Sequence, residues 1–276
     1  MPVQFIGAIG AQNTAEGRPA QSPVVDKSFV RAFTQAHEDA GFDRVLIGYF
    51  SSAPDGFQIA AYAAQQTERL KFLLAHRPGS SRRRSRTPAC NAGPIHRRAP
   101  CGSHITGGAD HEQAKGGDFL DKATRYERTD EYIELLKKTW TSEGPFDHAG
   151  VFYKVIGSFS AVRCAQRPHI PVYFGGPSDK AIAVAGRHAD VYAFWGETLD
   201  QARETIMKVR ASAARFGREQ SVGFSLSLRP ILGPTEDAAW ARAACILEAA
   251  TASDVHGRST IFRRVGEEPQ NVGSRR

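Results

Sequence analysis

RVLIGYFSSAPDGFQIAAYAAQQTERLKFLLAH, residues 44–76, decides the fold. A short apolar run (Arg44–Tyr49), a stretch of helical period (Gly56–Leu70) and a second apolar run (Lys71–His76) follow one another. Strand, helix, strand is a βα unit, whose two strands lie parallel in one sheet. The same alternation extends in both directions. Further strands are expected at Gln4–Ile9, in a run ending at Thr106, and at Val172–Gly175, Val191–Trp195 and Gly223–Leu232. Val25, Phe29, Phe33, Ala36 and Ala40 place one apolar face on a helix that Gly41 closes. Further helices are expected at Asp130–Trp140, Ser178–Ala189, Asp200–Phe216 and Thr235–Ala250, several opened by a Ser, Thr or Asp cap. No G-x-G-x-x-G follows the first strand, so the pattern favours a TIM (β/α)8-type barrel over a doubly wound nucleotide-binding sheet. Seven units are visible. The chain therefore reads as a single α/β barrel domain over residues 1–276 whose last βα unit is missing, with a polar tail at 251–276.

Length and composition agree with one barrel. The 276 residues are 41% apolar, with 26 glycines and four cysteines. No run approaches the ~20 apolar residues of a membrane span, and residues 1–11 lack the basic and small-residue marks of a signal peptide. A cytoplasmic protein without membrane attachment is expected. Cys90, Cys101, Cys164 and Cys245 form no C-x-x-C pair, so neither a disulfide framework nor a bound metal is indicated.

The net charge of +7 is local. Residues 79–104, GSSRRRSRTPACNAGPIHRRAPCGSH, hold six arginines and no acid, leaving 30 basic against 29 acidic residues elsewhere. Three prolines and one large aliphatic residue exclude an amphipathic helix or a core strand there. One reading is a loop that binds nucleic-acid phosphates; it lacks the aromatics on which bases stack, and a nucleic-acid partner is not expected. The other reading comes from the genetic code. Synonymous codons for Ala89–His104 can be chosen so that reading one base later yields PATLDQFTGGRLAVH, a helix-like run, a Gly-Gly turn and a strand-like run. Two compensating single-base changes bracketing this segment account for the broken pattern.

In a barrel, chemistry sits just after the strands. After the fifth strand, in YFGGPSDKA, Gly175 and Gly176 permit close backbone approach and Ser178 opens a helix, a combination suited to a phosphate or to an ordinary capped turn. Thr106 precedes a second glycine pair. Trp195 ends the sixth strand, where it could wall a flat ligand or fill the core. His76 and Arg77 follow the third strand and could hold an anion or move a proton. Arg229, in or near the seventh, would need an anionic partner, from substrate or protein.

Six stretches together carry a likeness: RVLIGYFSSAPDGF, LKFLLAHRPG, ITGG with GGDFLDKATRYERTDEY, YFGGPSD, ADVYAFWGE and FSLSLRPILGPTEDAAW. In this order they resemble the bacterial-luciferase-like flavin monooxygenases, and among them alkanesulfonate monooxygenase. The resemblance implies a TIM-like barrel that binds reduced FMN, supplied by a separate NAD(P)H-dependent flavin reductase. It implies that oxygen and a small alkanesulfonate or related organosulfur compound are converted to sulfite and an aldehyde, by a protein that is a homo-oligomer when intact. By the same likeness, Tyr126 and Ser178 match positions that hold the flavin phosphate, and Thr106 and Trp195 match positions beside flavin or substrate. Arg229 and His76 are the catalytic candidates. Ala53 stands where alkanesulfonate monooxygenase has a cysteine, and Ser227 and Arg229 where it has an arginine and a histidine. A sulfone monooxygenase or a deazaflavin-dependent oxidoreductase on the same barrel is the alternative enzyme. With residues 79–104 as they stand and the last unit missing, the chain is expected to fold poorly and to be nearly inactive, a pseudogene product if the frame is genuine.

Overall fold

The computed structural model describes residues 3–13, 23–48, 51, 53–78, 101–104, 109–161, 164 and 166–255. Its contacts divide the chain into two units, Met1–Gln12 with Ser22–Leu228, and Asn13–Gln21 with Arg229–Arg276. In the first unit, seven parallel strands hydrogen-bond in chain order: β1 (Ile6–Ile9), β2 (Arg44–Ile47), β3 (Lys71–His76), β4 (Cys101–His104), β7 (Val172–Phe174), β8 (Val191–Ala193) and β9 (Gly223–Ser225). Helices α1 (Lys27–Asp39), α2 (Gly56–Ala64), α4 (Lys122–Thr141), α5 (Asp179–His188) and α6 (Leu199–Ala214) fall between successive strands, preceded in one case by the short α3 (Asp110–Ala114). This is the TIM-barrel-like order that residues 44–76 announce. In the second unit, α7 (Glu236–Val255) carries a first turn capped by the Thr235 hydroxyl, which accepts from the Ala238 amide.

Strand alternation sorts the side chains onto two faces. Leu73 and Tyr173 are buried together, with Ile6, Leu46 and Val191 packed on them, and the register puts all five on one face of the sheet. On the opposite face, Ile9, Val45, Ile47, Phe72 and Leu74 pack under α1 and α2, and Val172, Phe174, Tyr192 and Phe194 pack under α4, α5 and α6. Gly7 shares the helix-facing side. A Cβ there would lie 2.2 Å from the His37 ring of α1, so the glycine lets that helix sit down on the sheet.

Three local expectations are revised. The helix expected from Asp130 begins two turns earlier, because Arg125 and Arg128 are buried and their charges are met. Arg128 grips Asp118 with both terminal nitrogens, one at 3.1 Å, and Arg125 reaches Asp110 at 2.7 Å. Burial alone would raise the Asp118 pKa, but Arg128 outweighs it and holds the carboxyl below its ordinary range. Second, the strand expected to run to Leu232 stops at Ser225, since residues 226–233 find no further strand to pair with among the described residues. Third, residues 146–158 form an antiparallel hairpin, β5 (Phe146–Ala149) and β6 (Lys154–Ser158), that was not expected.

Glu131 of α4 fastens that hairpin. Its carboxylate accepts from the Phe152 and Tyr153 amides at 2.9 and 2.8 Å and meets His148 Nε2 at 3.0 Å. Burial works against the charge, yet these donors hold its pKa below the ordinary 4.5. A carboxylate depressed in the folded state contributes stability that is present above its unfolded pKa and lost as pH falls through the folded one. Glu131→Gln is therefore expected to cost about 1 kcal/mol at pH 7, and the difference in Tm between the two proteins should shrink steadily below about pH 4.5. Thermal melts across that range check it; a constant offset would show that the carboxylate's charge is not involved.

Candidate functional site

The chain leaves β7 through Gly175 and Gly176 and enters α5 at Asp179, with Ser178 as the cap. Gly175 continues the face of Tyr173. A Cβ on it would fall 2.2 Å from the Ala193 carbonyl oxygen, so the backbone of β8 occupies the space a side chain would need. Gly176 adopts φ +146°, open to glycine and costly for other residues. A Cβ there would meet Ala181 Cβ at 2.9 Å and the Tyr126 hydroxyl at 3.2 Å. The Ser178 hydroxyl accepts from the Ala181 amide at 3.3 Å, and the Ser178 carbonyl takes the Ile182 amide at 2.9 Å. The Asp179 and Lys180 amides at the positive end of α5 belong to the first turn that the helix itself leaves without carbonyl partners.

Two phenols flank this turn. Tyr126, from the first turn and a half of α4, is only 8% exposed, and its hydroxyl has no hydrogen-bond partner among the described residues. Tyr192, on the helix-facing side of β8, is 2% exposed and donates to the Gly176 carbonyl at 2.7 Å. Burial pushes the Tyr192 phenol up to about 12, with Glu197 and Tyr126 adding to it, so it stays a donor through the neutral range. The structure thus gathers four of the expected residues, Tyr126, Gly175, Gly176 and Ser178, at one strand-to-helix turn. Tyr192 was missed. It lies in the quoted ADVYAFWGE, but nothing in a sequence shows that its hydroxyl turns back to a carbonyl sixteen residues earlier.

The other expected residues are placed differently. Trp195 is 64% exposed at the exit of β8, its amide donating to Glu197 Oε2 at 2.7 Å, so it is not a core tryptophan. His76 ends β3 on the side of Phe72 and Leu74, which faces the helices. Its Nε2 lies 3.0 Å from the Tyr132 hydroxyl of α4, and its ring meets Phe57 edge-on at 5.3 Å. Burial holds the Tyr132 phenol far above its ordinary pKa, so that neighbour is a neutral hydroxyl. Arg77 is buried and donates to the Ser51 hydroxyl, while the Ser51 amide donates to Glu112 Oε1 at 2.6 Å. Arg229 opens the second unit's longer segment. Thr106 lies outside the described residues, as do residues 79–100 and 256–276.

A helix N-terminus, a glycine turn built for close approach and a phenolic hydroxyl without a partner among the described residues have the donor set of a phosphate seat. The residues fit the phosphate of a flavin mononucleotide. Among the described residues no three His, Cys, Asp or Glu side chains gather as for a metal, and no helix is long and apolar enough to cross a membrane.

Comparison with known proteins agrees with the architecture. The luciferase-like monooxygenase family matches residues 3–88 and 104–275, skipping only 89–103 between them. Among solved structures, riboflavin lyase (RcaE), crystallised with modified FMN and riboflavin, superimposes with a TM-score of 0.77 at 17% identity, over 90% of this chain and 67% of that one. EDTA monooxygenase (EmoA) from Chelativorans sp. BNC1 gives 0.76 at 17% identity, over 90% and 68%. An F420-dependent secondary alcohol dehydrogenase gives 0.66 at 16% identity, over 82% and 68%. The chain thus spans about two thirds of the length of these structures. With a TIM-barrel-like order of strands and helices and a match over nearly all of its length, the chain belongs to the luciferase-like monooxygenase family and is an enzyme by that membership.

Proposed function

We propose that this chain is a reduced-FMN- and oxygen-dependent monooxygenase acting on an alkanesulfonate or a related small organosulfur compound. The observation that carries the flavin reading is the unpartnered hydroxyl of the largely buried Tyr126, set against Gly176 at the N-terminus of α5. Tyr126, Ser178 and the first amides of α5 would hold the phosphate, with Gly175 and Gly176 letting the backbone come close. Trp195, exposed at a strand exit, and Thr106 would lie beside flavin or substrate. Bound there, reduced FMN supplies the two electrons that activate oxygen. In the overall reaction one oxygen atom would end in the aldehyde and the other in water, with the C–S bond broken and sulfite released.

The chain's own residues would do the rest. The sheet face of Leu73, Tyr173 and Val191, which Gly175 continues, would keep water from that side of the turn. Arg229 is the candidate cation for a sulfonate. His76, bonded to Tyr132 on the helix side, would act by fixing the exit of β3. A separate NAD(P)H-dependent flavin reductase, a homo-oligomeric assembly and a cytoplasmic setting complete the proposal. It includes a displaced reading frame within the arginine-rich segment 79–104; the family match runs through 88 and breaks off over 89–103, which supports the displacement for that part.

The test is a coupled assay with a flavin reductase, NADH, FMN and hexanesulfonate. Sulfite and hexanal should appear in equal amounts, dependent on oxygen. Oxidation of the flavin without sulfite from any sulfonate would overturn the substrate class, and turnover with reduced F420 but not FMN would overturn the cofactor.

A further inference from the structure

Gly176 is followed by Pro177, so the peptide between them has no N–H and can be held only by its carbonyl. Among the described residues that carbonyl accepts one hydrogen bond, from the Tyr192 hydroxyl at 2.7 Å. The glycine on its N-terminal side has the widest backbone freedom of any residue and sits at φ +146°, where few conformational restraints come from itself. Ser178, two residues on, inherits whatever orientation this peptide takes, and with it the direction of the first turn of α5. Tyr192 is itself immobile: it is 2% exposed, with its ring edge-on to Phe194 at 5.1 Å and tilted against Phe224 at 6.5 Å. It is therefore a fixed donor aimed at the one hydrogen-bonding handle of that peptide.

We infer that Tyr192 is a positioning residue for the phosphate seat, locking the Gly176–Pro177 peptide so that Ser178, the α5 amides and the Tyr126 hydroxyl converge on one anion. It touches no ligand. The inference rests on the phosphate seat proposed above and adds to it a part that neither the glycine motif nor the cap supplies. A purely structural role, filling the core between Phe194 and Phe224, would be served equally by phenylalanine.

The experiment is Tyr192→Phe in the full chain, titrated with oxidised FMN and with riboflavin by flavin fluorescence. Riboflavin lacks the phosphate and reads everything else about the site. Loss of one neutral hydrogen bond is expected to raise the FMN Kd about five-fold, with the riboflavin Kd moving by less than about two-fold, since no phosphate contact is involved. The ratio of the two constants within one protein does not depend on its folded fraction, so a variant of lower stability still answers the question. An unchanged ratio, whether neither ligand or both weaken, would overturn the inference while leaving the seat in place. If the unsubstituted chain itself fails to prefer FMN to riboflavin, it is the seat that fails.

Discussion

A chain carrying PATLDQFTGGRLAVH in place of Ala89–His104 is expected to melt at least about 10 °C above the chain as it stands, and to bind flavin where the latter binds little. β4 is the middle strand of the seven, between β3 and β7. Its register places Cys101 level with Leu73, and Ser103 level with Ala75 and Tyr173, on the parity of the face that holds Leu73 and Tyr173. Aligned on His104, the displaced frame puts leucine and valine at those two levels, with alanine at Gly102. A leucine and a valine are each worth about 1.5–3 kcal/mol at full burial. In a domain of this size each kcal/mol moves Tm by about 2–4 °C. Together with the helix-forming run PATLDQF, the exchange should exceed any single substitution in the molecule. Differential scanning calorimetry of the two chains decides it. A restored chain that melts no higher would mean that the arginine-rich frame is the one this fold uses.

The second large effect is expected at Tyr126. The side chain is 8% exposed and its hydroxyl has no hydrogen-bond partner among the described residues, so Tyr126→Phe removes no hydrogen bond of the fold and should leave Tm unchanged. The same change should weaken FMN binding about ten-fold or more, because a hydrogen bond to a charged acceptor is worth about 1.5–3 kcal/mol. Riboflavin binding should barely respond. Loss of affinity without loss of stability is the mark of a residue kept for a ligand. Isothermal titration paired with a thermal melt measures both. A variant that loses stability and leaves FMN affinity intact would show that the hydroxyl serves the fold.

Much of this architecture was legible because it is local. The spacing of Val25, Phe29, Phe33, Ala36 and Ala40 predicts α1, and its stop comes at Gly41, which has φ +80°. The turn at Gly175–Ser178 is a contiguous motif, so its strand-to-helix geometry with a serine cap could be read without a structure. What escaped the sequence depends on partners far along the chain. The start of α4 is masked by KATRYER, whose arginines look solvent-facing until Asp110 and Asp118 are seen beside them. The hairpin at 146–158 is anchored by Glu131, fifteen or more residues before it. The expected strand to Leu232 followed a real alternation, Phe224, Leu226 and Leu228, that finds no partner strand beyond Ser225 among the described residues. His76 stands at a strand end, where chemistry is expected, but it shares the parity of Phe72 and Leu74. Counting along β3 already turns its ring toward the helices.

The central claim is that the Gly175–Ser178 turn seats the phosphate of FMN. Its most direct measurement is the affinity of the chain, and of its frame-restored form, for FMN, riboflavin and F420 in one titration series. FMN should bind at least about ten-fold more tightly than riboflavin, as charge-assisted contacts to a phosphate require, and more tightly than F420. Equal affinity for FMN and riboflavin in a folded protein, or a preference for F420, would contradict it.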